Sequence, residues 1–265
     1  MIYREIYYTS SEQGQISGSD GFGIRAFTAG VPESVLEELK LKNIFYYQAG
    51  KKMLPGSYEL AQNPDLINDF PATFYYGKVA SEKEVNQDFF LLARTVYIGR
   101  DFGWYQEEPQ ENARSGNTFT HVLVFPEYTD DILSLAAQSG VFRPSLLTNN
   151  SNNSELKQLL TGLPPVLSEK QIDPKSLLND ASNESVKGLL YFLLARQRKV
   201  PCVINALSDD TPKLIAELTR LLPDCIKQHA LTVKTNYSEF FFEPATTLTF
   251  INEYFPNSVS NVATD

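Results

Sequence analysis

The chain offers few groups that could move a proton at neutral pH. Its two histidines are His121 and His229. His121 lies in SGNTFTHVLVF, where alternation places it on one strand face with Phe119, Leu123 and Phe125. An imidazole there acts as a general base only beside a group that orients it and a nucleophile it can activate. No G-x-S-x-G elbow supplies a serine. Cys202 and Cys225 both sit among apolar residues, as structural thiols do. His229 falls between a helix pattern and a strand pattern. His121 is therefore read first as a core or core-edge residue, second as a binding residue and last as a catalytic one.

A second set of polar residues lies in GRDFGWYQEEPQENARSGNTF, which gathers Arg100, Asp101, Trp104, Tyr105, Arg114 and Asn117 between two strands. Long loops held by rigid strands often carry binding functions. Arg100, Asp101, Trp104, Arg114, Asn117 and His121 are accordingly the candidate partner-binding residues. The bland reading is a solvated loop with local ion pairs. The alternative is a small-ligand site or an enzyme, which requires Asp101, Arg114, Asn117 and His121 to line one cavity.

A third candidate is SGSDGFGIRAFTAG, with Gly18, Gly21 and Gly23. A phosphate cradle needs G-x-x-x-x-G-K-[ST], or G-x-G-x-x-G between a strand and a helix. Here the spacing is G-x-x-G-x-G and a strand follows, so no helix dipole faces the loop. These glycines are read as the turn of a hairpin. With two histidines and no C-x-x-C pair, the common zinc sites have no ligand set. No metal and no cofactor are expected.

Bulk composition narrows the partners. With 23 basic and 32 acidic side chains in 265 residues the net charge is −9. Nucleic-acid binding draws on dense basic patches. The best one here, Arg196, Arg198 and Lys199, stands where a helix ends and suits its dipole. Neither nucleic acid nor an anionic membrane surface is expected as a partner. No run of 18 apolar residues occurs, the first residues read as a strand rather than a signal, and two buried thiols suit a reducing compartment. These readings point to the cytoplasm.

The elements that must position these residues follow from periodicity. IYREIYYT and FGIRAFTA alternate as strands. VPESVLEELK reads as a short helix, with Pro32 in its first turn. TFYYGKVA, FFLLARTVYIG and FTHVLVF are strands, and TDDILSLAAQSG reads as a helix ending at Gly140. TNNSNNSE is the best linker, with Ser154 placed to cap the helix ELKQLL. Beyond it the pattern alternates: the helix NESVKGLLYFLLARQRK, the strand VPCVINAL, the helix TPKLIAELTRLLP begun by Thr211 and Pro212, and the strands ALTVKT, EFFFEP and TLTFINEYF. The fold class is α+β. A mostly antiparallel sheet with peripheral helices occupies the N-terminal half, and an alternating α/β layer the C-terminal half. The expected subdomains are 1–147 and 154–265, with room for one shared core.

Taken in order, YYTSSEQG, GSDGFGIRAFTAGVP, ARTVYIGRDFG and ARSGNTFTHVLVF resemble the N-terminal domain family of bacterial GTPase-associated protein one. LLYFLLARQRKVPCVINA and LTRLLPDCIKQHALTVKTNY extend the likeness toward the C-terminus. The positions that carry it are Tyr8, Thr9, Ser10, Gly21, Phe22, Gly23, Gly99, Arg100, Asp101, Gly116, Asn117 and His121. The resemblance implies an assembly or sensing module of a bacterial conflict or antiviral defence system, encoded beside a GTPase and without a recognised active site. A non-enzymatic adaptor whose partners are the GTPase or other subunits is the first reading. A ligand-binding protein or enzyme, and a self-associating structural subunit, are the others.

Overall fold

The structure, a computed structural model, describes residues 1–13, 21–41, 53–81, 87–108, 110–138, 140–143, 154–173, 187–193, 202–205, 211–229, 231–235 and 248–251. Strands β1 (Ile2–Ser11) and β2 (Gly21–Phe27) pair antiparallel, from Ile6↔Phe27 to Ser11↔Gly21. The hairpin expected around the glycine-rich stretch is thus present, and Gly21 opens β2 at φ 114°. Gly18 lies outside the described residues, as do the basic cluster at Arg196, Arg198 and Lys199 and the expected strand EFFFEP.

Helix α1 (Glu33–Leu41) follows Pro32 and buries Val35, Leu36 and Leu39, the stripe its spacing predicts. Helix α2 (Ser57–Gln62) is closed at its start by Glu59, whose Oε2 accepts the Gly56 amide at 2.8 Å. Strands β3 (Thr73–Ser81), β4 (Gln87–Arg100) and β5 (Ser115–Phe125) then form a long antiparallel meander. Where TDDILSLAAQSG predicts a helix, only a 3-10 segment forms, at Leu133–Ala137. Its polar start is committed elsewhere. Asp130 accepts from Tyr128 Oη at 2.5 Å and Lys227 Nζ at 2.9 Å, and Ser134 Oγ donates to the Asp131 carbonyl at 2.6 Å. Such side-chain bonds compete with regular helix at its first turn.

The remaining elements are α3 (Ser154–Thr161), β6 (Lys170–Gln171), α4 (187–193), β7 (Cys202–Asn205), α5 (Thr211–Arg220), α6 (Asp224–His229), β8 (Val233–Thr235) and β9 (Leu248–Ile251). The described strands join one nine-stranded sheet, in the order β2-β1-β5-β4-β3-β8-β9-β7, with β6 paired to β1. Pairing is antiparallel from β2 to β8, and β8, β9 and β7 run parallel. Among the described residues, β7 is followed by α5 and α6 before β8, and the class is α+β.

Both faces of the central strands are covered, so β5 ends in the unbroken apolar run VLVF at 122–125. Its Val122 and Val124 pack with α1 on one face. Leu123 and Phe125 meet Leu133, Leu135, Phe192, Ile215 and Leu218 on the other, and Phe119 meets Leu156, Leu159 and Leu160 of α3. Full burial of each such side chain stabilises the fold by roughly 1.5–3 kcal/mol. The second core thus draws on residues from both halves of the chain. The outer edge of β2 is bordered by the stretch after α3, through a parallel bridge between Thr28 and Leu167. Pro164 and Pro165 precede that bridge and present no amide hydrogens to a further strand.

One glycine in the meander is required by its conformation. Gly99 sits at φ 84°, and a Cβ built there would lie 3.1 Å from Ile67 Cγ2 and 3.3 Å from Leu60 Cδ1. Gly99→Ala is therefore expected to lower unfolding free energy by about 2 kcal/mol, read as a drop in urea midpoint with unchanged m-value. A variant as stable as the parent would show that the strand end relaxes freely.

Candidate functional site

The far ends of β4 and β5 are built to carry a loop. Their register shifts around Gly99, where β4 bulges, and Gly116 opposite takes φ 96°. Bulges of this kind re-aim the chain that follows. Asp101, next after β4, caps a 3-10 turn over Phe102–Tyr105, its Oδ1 accepting the Gly103 amide at 3.1 Å. The Asp101 amide in turn donates to the Arg114 carbonyl at 2.9 Å, which closes the loop at its base.

Arg100 is only 6% exposed. Its guanidinium carbon lies 3.2 Å from the centre of the Trp104 ring, a cation–π contact, and its Nη2 donates to the Ser57 carbonyl at 3.3 Å. Burial pulls the Arg100 pKa down, with the nearby Tyr105 hydroxyl opposing. Asn117 joins three chain segments. Its Nδ2 donates to the Arg100 carbonyl at 3.1 Å, while its Oδ1 accepts the Ser10 amide at 3.2 Å and lies 3.4 Å from Thr9 Oγ1. Thr9 Oγ1 also donates to the Thr118 carbonyl at 2.8 Å. Arg114 differs from Arg100, Asp101, Trp104 and Asn117 in being exposed.

His121 stands on the same strand face as Asn117, four residues further on, about 14 Å away at a rise of about 3.4 Å per residue. It is completely buried, edge-on to Tyr7 with ring centres 4.9 Å apart and to Phe142 at 5.6 Å. Its cross-strand neighbours are Tyr7 on β1 and Arg94 on β4. Arg94 is buried too, and desolvation brings its pKa down to about 10. His121 Nδ1 accepts the backbone amide of Arg143 at 2.8 Å. An amide can only donate, so the ring proton sits on Nε2. That nitrogen stands 3.1 Å from Glu5 Oε1, off the line of a full hydrogen bond. Lys170 Nζ straddles the same carboxylate, 3.0 Å from Oε1 and 2.9 Å from Oε2.

Charge in this cluster is settled by burial and pairing. Desolvation pushes the His121 pKa down more than Glu5 raises it, so the ring is neutral. For Glu5, burial pushes up, but the close approach of His121 and the Lys170 ammonium outweigh it and hold the carboxyl below its ordinary value. The ion pair of Arg143 with Glu155 at 2.8 Å extends the chain of contacts to the start of α3. This arrangement clamps β1, β5, β6 and the 140–143 segment together. Both His121 nitrogens face protein groups, and the side chain offers no base to solvent.

The six candidate residues thus fall into two groups. Arg100, Asp101, Trp104, Arg114 and Asn117 share one loop and its roots, and His121 belongs to a separate interior cluster. No side-chain hydrogen bond links Asp101, Arg114, Asn117 and His121, and Asp101 meets Arg114 through the backbone. Sequence reasoning passed over Glu5, Arg94, Lys170 and Arg143 around His121. It also passed over Arg25, whose guanidinium holds the end of α3. The available signal was a charged residue inside a strand of apolar and aromatic neighbours, IYREIYY for Glu5 and GIRAF for Arg25, which burial permits only with partners. Among the described residues no group of His, Cys, Asp and Glu could hold a metal ion, and no helix is long and apolar enough to cross a membrane.

The fold and this loop define a mixed α+β module whose polar motif residues mainly hold its own strands and loop in place. The family model for GTPase-associated protein 1, N-terminal domain type 2, matches residues 3–160, more than half of the chain, and the chain belongs to that family. No curated protein and no solved structure matches it.

Proposed function

We propose that this chain is a non-enzymatic adaptor or sensing module that works in the bacterial cytoplasm with a GTPase of a conflict or antiviral defence system. Membership of a GTPase-associated family carries this reading. The loop at the β4–β5 end supports it. Arg100, Asp101 and Asn117 are spent on holding the loop, while Arg114 and part of Trp104 remain available to a partner. Arg114, Trp104 and their neighbours are the partner-binding residues in this reading, and the acidic surface favours protein over nucleic acid.

The test is direct binding of the purified full chain to the GTPase encoded beside it, measured by calorimetry in the GDP and GTP-analogue states. Binding in at least one state is expected. Absence of binding in both would overturn the proposal.

A further inference from the structure

Two large apolar side chains stand out next to this loop: Met53 is 88% exposed and Tyr58 75%. The turn that joins them is tied to the rest of the fold. Between them the Pro55 carbonyl accepts from Tyr97 Oη at 3.4 Å, and Ser57 Oγ donates to the Ala113 carbonyl at 2.6 Å. Arg100 completes the clasp, stacking on Trp104 and donating to the Ser57 carbonyl. The turn before α2 and the 102–114 loop therefore form one braced surface, with Met53, Tyr58 and the partly exposed Trp104 on it. Glu107, Glu108 and Glu111, all exposed, lie along the loop.

Apolar side chains gathered on one exposed surface with a polar rim mark interaction sites, where singly scattered ones do not. Methionine, tyrosine, tryptophan and arginine are the residues enriched at interface centres, within a polar rim. Bracing also lowers the entropy that docking would otherwise cost. Resting on the reading given under Proposed function, we infer that this surface is the docking face for the GTPase, and that the matching patch on the GTPase is apolar at its centre and lysine- or arginine-rich at its rim. A second copy of this chain fits poorly, because a twofold contact would set the acidic rim against itself.

The experiment compares binding of the GTPase by wild type and three variants of the full chain. Met53→Ser/Tyr58→Ala should weaken affinity by about tenfold or more, with an unchanged melting temperature because both side chains are exposed. Glu107→Lys/Glu108→Lys/Glu111→Lys should slow association by roughly tenfold at low salt, and the difference should shrink at high salt. Leu163→Ser/Val166→Ser alters two exposed apolar residues beyond α3 and should bind like wild type. If wild type binds and the first two variants bind equally well, or only the third fails, the docking face is refuted and the adaptor reading stands. If wild type binds in neither nucleotide state, both fall.

Discussion

Replacing Arg25 with methionine will lower the unfolding free energy by about 3 kcal/mol, more than most single changes achieve. The Arg25 residue is fully buried on β2, and its Nε donates to the Leu159 carbonyl at 2.7 Å. Its Nη1 and Nη2 donate to the carbonyls of Gln13 and Gly162. Leu159 lies in the last turn of α3, where helix carbonyls have no amide partner of their own. Arg25 thus caps the C-terminal end of a helix more than 130 residues away, and its charge suits that pole of the dipole. Methionine fills similar space and donates nothing, so three carbonyls, that of Leu159 in a buried bond, lose their partner. The change should appear as a melting temperature lower by roughly 6–12 °C. Arg25→Lys, which keeps the charge but not the fork of donors, should fall between. A methionine variant within 1 kcal/mol of wild type would show that solvent or relaxation replaces the guanidinium.

The second large effect is loss of stability in acid, centred on His121. The folded ring resists protonation, because an imidazolium could no longer accept the Arg143 amide and would be a buried charge. The unfolded chain takes up that proton near the ordinary histidine value of 6.5. Stability is therefore fully present above pH 6.5 and falls as the pH drops below it, by up to about 1.4 kcal/mol per pH unit. Glu5 adds a second loss below its unfolded value of 4.5, since its folded pKa is depressed. The groups facing His121 are Glu5, Lys170, Arg143, Arg94, Tyr3 and Tyr7, and Glu155 stands behind Arg143. In His121→Asn the loss between pH 6.5 and 4.5 should shrink relative to wild type, measured by urea unfolding at each pH. Equal slopes in the two proteins would show that His121 is already charged in the fold. Glu5→Gln should cost about 3 kcal/mol at neutral pH, because it leaves Lys170 and the buried ring without their anion.

Local pattern was legible where a residue's partners lie close in sequence or on the same strand. The alternation of FTHVLVF placed His121 on the face with Phe119, Leu123 and Phe125, and burial follows that assignment. Pro32 and the Val35, Leu36, Leu39 stripe announced α1, and the strands on either side of the glycine-rich stretch pair as β1 and β2. Residues whose meaning depends on distant chain were not legible. Glu5 reads as one charged position on a tyrosine-rich strand until Lys170 and His121 are brought beside it. Arg25 reads as the solvent side of a hairpin until α3 arrives. Helix 129–140 failed because Asp130 serves Tyr128 and Lys227 instead of a helix start. The loop's candidates stand close together in sequence, but their division into inward braces and an outward Arg114 depends on the strands that the loop folds against.

The bond between Lys170 and Glu5 spans 165 residues, and β1 also pairs with β6 at Ile2↔Gln171. During synthesis at about 5–20 residues per second, the first strand leaves the ribosome roughly 10–30 s before the lysine that neutralises it. Throughout that interval the only charges in a tyrosine-rich strand are the neighbouring Arg4 and Glu5. Charged positions inside such a segment disfavour premature strand pairing. The corner of the sheet that Lys170 and β6 close can form only once residues 170 and 171 have been made.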